Sequence, residues 1–320
     1  MNNYIAPNVA EWTGRATCPD LPPQYWYQRI GLLDARLPEG QWPAATHALL
    51  GYACDEGVRR NHGRVGAVEG PSVARSYLSK MAAHFPQATK VVDAGDISCT
   101  DGNMEACQST YAETVARLLK QNIFPIGIGG GHDIAFGTFS GLLSGLAPQS
   151  VQQIGILNFD AHFDLRPFIL GPNSGTPFNQ ILTDYRERVE YFVVGIQAAA
   201  NMPSLFDIAH LFDVKYISST ACGNDPASRA AVITQLQAFL DRIDYLYISV
   251  DLDGFSSAYA PGVSAASPVG FAPEFFFPVF QEVMKSGKVV ALDIAEFCPA
   301  HDVSGQTKVL LGRVVEAVVA

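Results

Sequence analysis

Short apolar runs alternate with helix-like stretches along most of this 320-residue chain. Each run is four to eight residues long and rich in β-branched or aromatic side chains, which predicts a buried strand. Strands that alternate with helices predict a parallel sheet covered by helices on both faces. We therefore expect an α/β fold with three α/β/α layers and a mainly parallel sheet of about eight strands. The predicted strands are 46–53, 90–94, 123–128, 154–159, 191–196, 211–217, 245–250 and 288–292, and the clearest predicted helices are 111–120, 227–240, 274–284 and 307–319.

The first forty-odd residues differ from the rest of the chain. Residues 1–45 are rich in Trp, Tyr and Pro, a composition typical of an irregular segment that packs its rings on a neighbouring surface. Beyond them we find no low-complexity linker, charge block or internal repeat. We therefore expect one domain over residues 1–320, with an irregular N-terminal segment.

Composition argues against binding to nucleic acid or to a membrane and against an oxidising compartment. Lys and Arg total 21 against 31 Asp and Glu, a formal net charge of -10 that disfavours nucleic acid and anionic lipid. No apolar run approaches the 18 or so residues of a membrane span. The six cysteines are scattered without a C-x-x-C pair, which fits the reduced thiols of a cytosolic protein. We expect a cytoplasmic protein that binds neither nucleic acid nor membrane.

Metal-capable side chains follow one of the predicted strands. The strand 154–159 leads directly into Asp160, His162 and Asp164. In extended chain, residues at i, i+2 and i+4 lie on one side, so the three side chains point the same way. Each residue taken alone has an ordinary alternative, since an Asp at a strand end can cap a turn and a nearby His can merely hydrogen-bond to it.

Two further strands end in the same kind of residue. The strand 245–250 is followed by Asp251 and Asp253, and the strand 123–128 by three glycines and His132. Adjacent carboxylates repel each other unless a cation lies between them. The glycines let the backbone approach a site closely, and they lack the spacing and the Lys of a phosphate loop.

Four Asp and two His thus converge from three strand ends, where parallel sheets place their sites. Oxygen and nitrogen ligands without a thiolate suit Mn²⁺ or another hard-to-borderline divalent ion better than structural zinc. The formal charge of four carboxylates balances that of two divalent cations. Carboxylates such as Asp160 and Asp251 could bridge two metal ions about 3.5–4 Å apart. Such a pair of ions lowers the pKa of bound water and so supplies hydroxide. The pattern predicts a hydrolase with two metal ions.

With these motifs the chain resembles the ureohydrolases, the arginase–agmatinase family of binuclear manganese enzymes. The matching segments, in the family's order, are Gly-Gly-Gly-His-Asp at 129–133, Phe-Asp-Ala-His-Phe-Asp at 159–164, Ser-Val-Asp-Leu-Asp at 249–253 and Leu-Asp-Ile-Ala-Glu at 292–296. The resemblance implies an arginase-like fold and two Mn²⁺ per chain. It assigns one ion to His132, Asp160, Asp164 and Asp251, and the other to Asp160, His162, Asp251 and Asp253. Trimers or hexamers are common in the family, so a homo-oligomer is expected.

The resemblance also implies residues that contact substrate. Its glutamate falls on Glu296, which would hold the cationic nitrogen of a guanidine or amidine. Ser174 stands where agmatinase-like sequences have a histidine proton shuttle, so that shuttle is missing. Ser-Gly-Thr-Pro-Phe at 174–178, together with segments 54–61 and 260–265, is similar to formimidoylglutamases, a branch of the family.

That similarity implies an amidine substrate with two carboxylates, N-formimidoyl-L-glutamate, as in histidine degradation. Arg166, two residues beyond Asp164, is the first candidate to hold a carboxylate, and Ser174 is a second substrate contact. Arg59, Arg60 and Arg64 form another basic cluster whose role is equally well structural. The expected reaction is attack of hydroxide on the formimidoyl carbon, stabilised by the metals and Glu296, with proton transfer through Asp164 or Asp253. Its products would be L-glutamate and formamide.

Three alternatives stay open at this point. An agmatinase or guanidino-acid ureohydrolase would release urea instead of formamide. A binding or regulatory protein would keep the metals without turnover. A zinc deacetylase of related fold would hold one ion per chain.

Overall fold

A single sheet of ten strands runs through the computed structural model, which describes residues 3–146 and 153–320. Nine strands lie in the order β1-β4-β3-β5-β10-β9-β6-β7-β8, and β2 pairs with the same β4 that β1 contacts. The strands are β1 Tyr4–Ile5, β2 Gly31–Leu32, β3 His47–Ala53, β4 Val91–Ser98, β5 Phe124–Gly129, β6 Ile154–Phe159, β7 Val189–Ile196, β8 Lys215–Ser218, β9 Tyr245–Asp251 and β10 Val289–Ala295.

All strand pairs in this sheet are parallel except β1 with β4, which are antiparallel. The four central strands β5, β10, β9 and β6 are almost wholly buried, as expected of strands covered on both faces. Because they are parallel and adjacent, their carboxyl ends meet at one edge, and the segments that leave them converge there.

In the described part of the chain, nine α-helices lie between the strands or after the last of them and form the outer layers. On one face α2, α7, α8 and α9 contribute to the largest apolar core, and on the other α3 to α6 pack in two smaller clusters. The expected three-layer α/β/α fold is confirmed. The helices in the described ranges are α1 Glu56–Arg60, α2 Gly70–Leu78, α3 Met104–Lys120, α4 Ile134–Gly145, α5 Pro177–Tyr185, α6 Pro203–Leu211, α7 Pro226–Leu240, α8 Pro273–Met284 and α9 Gln306–Val319.

The N-terminal segment is attached to the sheet by buried polar contacts. The indole Nε1 of Trp12 donates to Oδ2 of Asp93 at 2.8 Å, and Arg75 Nε lies 2.9 Å from the same oxygen. Arg75 also bonds Asp96 at 2.7 Å and lies 3.7 Å from Glu11. The three carboxylates compensate the charge of the buried guanidinium. The network connects the N-terminal segment to α2 and β4.

The structure differs from the predicted elements where the sequence pattern is weakest: it contains two short strands that were not predicted, and one predicted strand is divided. β1 and β2 are two residues long, too short to leave a periodic signal. The run predicted as strand 211–217 divides, because α6 continues to Leu211 and β8 begins only at Lys215. Across residues 3–146 and 153–320, no helix has both the length and the apolar character needed to cross a bilayer.

Candidate metal centre and substrate pocket

Two groups of acidic and histidine side chains meet where β5, β6 and β9 end. Each residue of a group places one ligand atom within 4.8 Å of the others. The first group is His132, Asp160, Asp164 and Asp251, and the second is Asp160, His162 and Asp253. The strand-end pattern therefore brings together all six residues that the sequence proposes as metal ligands.

His132 is the centre of the first group. Its Nδ1 lies 2.7 Å from Oδ2 of Asp164, 3.0 Å from Oδ2 of Asp251 and 3.2 Å from Oδ2 of Asp160. The ring is 1% exposed. Although three oxygens are within reach, Nδ1 has no well-directed hydrogen bond to any of them. Four ligand atoms thus surround a common point rather than pairing with one another.

Asp160 connects the two groups. Its Oδ2 faces His132, while its Oδ1 lies 3.4 Å from Nδ1 of His162. Nδ1 of His162 is 3.1 Å from Oδ2 of Asp253. One carboxyl group offering an oxygen to each side is the arrangement that a bridging ligand requires.

Asp251 groups with the first set of ligands, whereas the resemblance placed it in both. Its Oδ2 faces His132, and its Oδ1 accepts a hydrogen bond of 2.8 Å from the backbone amide of Asp253. That bond holds the second oxygen within the turn after β9. A bridging role for Asp251 stays a prediction.

Unusual backbone conformations hold two of the carboxyl groups. Asp164 and Glu296 both have positive φ, 48° and 66°, which residues other than glycine rarely adopt. The glycines before His132 let two backbone segments approach each other closely, since a Cβ on Gly130 would lie 1.8 Å from the carbonyl oxygen of Cys54. The segment after β5 therefore fits against the end of β3 only without a side chain at that position.

The electrostatics of the cluster favour positive charge at its centre. Burial alone would lower the pKa of His132 and His162, but the surrounding carboxylates raise it well above the usual value. Burial would raise the pKa of Asp160, yet hydrogen bonds from the two histidines lower it overall. Burial and the neighbouring Asp253 raise the pKa of Asp251. The field that favours a proton on Nδ1 favours a metal cation equally.

These observations fit a pair of divalent cations. The donors are carboxylate oxygens and imidazole nitrogens with no thiolate, a set that suits Mn²⁺ better than structural zinc. Oδ1 of Asp253 and Nδ1 of His132 are buried without a hydrogen-bond partner among the described residues, which is costly unless a ligand satisfies them.

Glu296 follows β10 and lies beside the first group. Its Oε1 accepts a hydrogen bond of 2.9 Å from the backbone amide of His132, whereas its buried Oε2 has no partner in the described part of the chain. Burial and then the charge of Asp253 raise the pKa of Glu296 to about 8. A buried, unsatisfied oxygen on a residue that lines the cavity above the cluster is a suitable acceptor for a cationic nitrogen.

A cavity of about 300 Å³ opens over the cluster. Arg166 and Ser174, both proposed from the sequence as substrate contacts, line it together with Asn61 and Arg64. The amide Nδ2 of Asn61 donates to Oγ of Ser174 at 3.1 Å. The pocket therefore has an acidic floor and cationic and amide groups at its rim.

The basic cluster of the N-terminal half divides in the structure. Arg59 and Arg60 pair with Glu56, and Arg60 also pairs with Glu105, so both are engaged elsewhere. Arg64 alone of the three lines the cavity, and its guanidinium donates to the backbone carbonyl oxygens of residues 263 and 264.

Asn61 and Asn201 are two of the lining residues that were missed as individual candidates. Asn61 belongs to the segment 54–61 that resembles formimidoylglutamases, which was the only signal for it. Asn201 accepts from the Phe163 amide and donates to the Ala161 carbonyl, so it supports the segment that carries His162. Nothing in its local sequence marks it.

Comparison with known proteins identifies the family. The model of the arginase family matches residues 45–320. Formimidoylglutamase from Geobacillus kaustophilus is 39% identical over 308 residues, covering 96% of this chain and 94% of the relative. Formimidoylglutamase from Aeromonas hydrophila is 39% identical over 323 residues, and the alignment covers 100% of this chain and 100% of the relative.

Solved structures show the same fold. Formimidoylglutamase from Bacillus subtilis superposes with a TM-score of 0.78 at 22% identity, over 87% of each chain. Formiminoglutamase from Trypanosoma cruzi, solved with Mn²⁺, superposes with a TM-score of 0.75 at 24% identity, over 86% of this chain and 93% of the other. With its sheet, its paired ligand groups and a family match over most of its length, this chain belongs to the arginase family.

Proposed function

We propose that this protein is a binuclear manganese hydrolase that cleaves N-formimidoyl-L-glutamate to L-glutamate and formamide. The observation that carries the proposal is the pair of ligand groups sharing Asp160, with Glu296 beside them and Arg166 at the rim of the same cavity. Full-length relatives named formimidoylglutamase support the choice of substrate.

The two proposed Mn²⁺ ions would be held by His132, Asp160, Asp164 and Asp251 on one side and by Asp160, His162 and Asp253 on the other. When bound, such a pair supplies hydroxide from water near neutral pH and Lewis-acid stabilisation of developing negative charge.

Residues of the chain orient the amidine. Glu296 is fixed through Oε1 by the His132 amide, which leaves Oε2 to accept a hydrogen bond from the cationic amidine nitrogen. This contact would place the formimidoyl carbon over the ligand groups and stabilise the positive charge of the amidinium, while the bond to the glutamate nitrogen is the one that breaks.

Arg166 would hold a carboxylate of the glutamate part. Its backbone amide donates to the Gly175 carbonyl at 2.9 Å, and its side chain passes over Gly175 towards the cavity. A guanidinium can grip a carboxylate with two parallel hydrogen bonds. Ser174, whose Oγ accepts from Asn61, is the neighbouring polar contact.

Proton transfer to the leaving amine needs an acid near the ligand groups. Asp164 and Asp253 both line the cavity, and burial raises the pKa of each. Ser174 occupies the position where related enzymes have a histidine, so we assign proton delivery to one of these two carboxyl groups.

An assay of the manganese-loaded protein with four substrates tests the proposal. N-formimidoyl-L-glutamate should be hydrolysed with release of formamide, while agmatine, arginine and guanidinobutyrate should react at least about 100-fold more slowly. Urea release from a guanidino compound as the fastest reaction would establish the agmatinase or guanidino-acid alternative. A protein that holds the metal ions but turns over none of the four would be a binding protein, and one zinc per chain would indicate a deacetylase.

We further propose that the enzyme is a cytoplasmic homo-oligomer that binds neither nucleic acid nor membrane. All six cysteines are free thiols, as expected in a reducing compartment, and the net charge of -10 disfavours polyanionic partners. Sedimentation of the purified protein should give a mass that is a multiple of the chain mass.

A further inference from the structure

Two carboxylates of the four matching motifs, Asp133 and Asp293, are neither proposed ligands nor proposed substrate contacts, and Asp293 is the one that lies on the strand beside a ligand-bearing strand. It lies on β10 directly beside Ser249 of β9 in the parallel register. Ser249 is two residues before Asp251, so its side chain lies on the same side of its strand as that ligand. Ser249 and Asp293 therefore form a polar row beneath the first ligand group.

The carboxyl group of Asp293 is fully buried and accepts three hydrogen bonds from hydroxyl groups. Oδ1 accepts from Ser249 at 2.6 Å, and Oδ2 accepts from Tyr247 at 2.6 Å and from Thr138 at 2.5 Å. Since a carboxylate is only an acceptor, the hydroxyl proton of Ser249 is committed to it.

This commitment determines what Ser249 can do for His132. Oγ of Ser249 lies 2.9 Å from Nε2 of His132. With its own proton on Asp293, Oγ can only accept, so Nε2 carries the ring proton and donates. In a neutral imidazole the other nitrogen then has a free lone pair. That nitrogen is Nδ1, which faces Asp160, Asp164 and Asp251.

We infer that Asp293 is a positioning residue that acts through Ser249 to fix the ring and tautomer of His132 for metal binding. The inference rests on the proposed function, since it concerns the first of the two proposed ion sites. An imidazole that donates its second N–H to a fixed acceptor is both oriented and more basic as a ligand. Loss of the acceptor should therefore weaken the binding of the ion held by His132 and leave the binding of the other ion unchanged.

The test measures manganese binding without substrate. Calorimetric titration of the chelator-treated protein should show two Mn²⁺ per chain for the original sequence. In Ser249→Ala and Asp293→Asn one of the two should bind about 10–100-fold more weakly. In Asp293→Asn the amide can donate to Ser249, which frees the serine proton to point at Nε2 and moves the ring proton to Nδ1. At two equivalents of Mn²⁺ per chain, the electron paramagnetic resonance spectrum of the original protein should show a coupled pair of ions. The spectrum of each variant should show mainly isolated ions.

Tyr247→Phe is the matched control, because it removes one hydrogen bond from Asp293 and leaves the Ser249–His132 contact in place. It should bind both ions within about threefold of the original affinity. If Asp293→Asn does not fold, Ser249→Ala decides the outcome.

Two ions bound at the original affinities in Ser249→Ala would overturn the inference. An original protein that binds no pair of ions would instead contradict the proposed metal centre. The two failures are therefore distinguishable.

Discussion

The backbone amide of His132 and the carboxylate of Glu296 are joined by a hydrogen bond of 2.9 Å between residues 164 positions apart. The bond connects the segment after β5 to the segment after β10, and these strands are neighbours in the sheet. It fixes the side chain proposed to hold the amidine relative to the first ligand of the metal cluster. The distance between the substrate's cationic nitrogen and the metal cluster is thus set by adjacent strands.

Replacing Glu296 should therefore abolish catalysis without emptying the metal centre. In Glu296→Gln the bond to His132 can persist, but the charge that faces the amidine is lost. We expect kcat/KM for N-formimidoyl-L-glutamate to fall by at least about 100-fold, with two ions still bound. Glu282→Gln, which alters an exposed acid paired with Lys285, is the control and should leave kcat/KM unchanged. Equal activity of the two variants would contradict the role given to Glu296.

Arg166 should matter for substrate binding and not for metal binding. Removing a charged group that holds a carboxylate costs about 1.5–3 kcal/mol. Arg166→Ala should therefore raise KM about 10–100-fold while manganese affinity is unchanged. Arg59→Ala removes an exposed arginine that pairs with Glu56 and is the matched control. An unchanged KM in Arg166→Ala would show that another group holds the carboxylate.

Gly175 should determine where the Arg166 side chain lies. A Cβ at Gly175 would be 2.8 Å from Cδ of Arg166 and 3.1 Å from Nδ2 of Asn61. Because the Arg166 side chain is flexible and exposed, Gly175→Ala should displace it, raising KM several-fold with little change in melting temperature. In Gly130→Ala the new Cβ would meet backbone at Cys54, so that variant should lose stability instead. Thermal melts and KM values of both variants distinguish the two effects.

The chelator-treated protein should lose stability as pH rises from about 6 to 9. The pKa of Glu296 is raised to about 8, and those of His132 and His162 well above the usual value, whereas that of Asp253 is raised only to about 6, so its contribution is lost mostly below this range. Each group holds its proton more tightly in the folded than in the unfolded chain, so its stabilising effect is complete below the unfolded pKa. That effect is lost as pH rises through the folded pKa. The lowered pKa of Asp160 acts oppositely, but only in acid.

Melting temperatures at pH 6 and pH 9, with and without Mn²⁺, check this prediction. The stabilisation by Mn²⁺ should be larger at pH 9 by several degrees, because bound cations replace the protons that the cluster has lost. A chelator-treated protein that becomes more stable between these pH values would contradict the expected protonation of the cluster.

We expect the chain to unfold as one domain. The ten strands form a continuous sheet, and Arg75 joins the N-terminal segment to it through Asp93 and Asp96. Arg75→Ala leaves the carboxylate of Asp93 buried without its cationic partner and should cost about 3–5 kcal/mol in free energy of unfolding. The loss should shift a single calorimetric transition as a whole. A separate early transition in the original protein would instead indicate two domains.

The central strands were predictable from sequence because both of their faces are buried. The strand predicted at 154–159 agrees with β6 at both ends, since all its residues except Asn158 are apolar or glycine. β8 was less predictable because Leu211 has an apolar side chain yet belongs to the preceding helix. Apolar character alone does not distinguish the end of a helix from the start of a strand.

The metal cluster was predictable for a related reason. Parallel strands deliver their last residues to one edge, so recognition of the strands placed Asp160 and Asp251 at the same edge, and the pairing of β6 with β9 in the structure makes them neighbours. Asn61 and Arg64 come from a loop whose path depends on contacts with residues 174 and 263–264, more than 100 positions away. No local pattern encodes such contacts. The proton arrangement around Asp293 likewise needs the register of two strands.

The two ligand groups differ in their access to solvent. The ring of His132 is 1% exposed, whereas that of His162 is 25% exposed at the floor of the open cavity. An ion held on the His162 side would therefore meet solvent more readily than one held on the His132 side. The pair should therefore be released in sequence, so a brief chelation step would yield a half-filled enzyme, and a different metal added afterwards would enter on the His162 side. Mixed-metal forms of this enzyme should be accessible by order of addition alone.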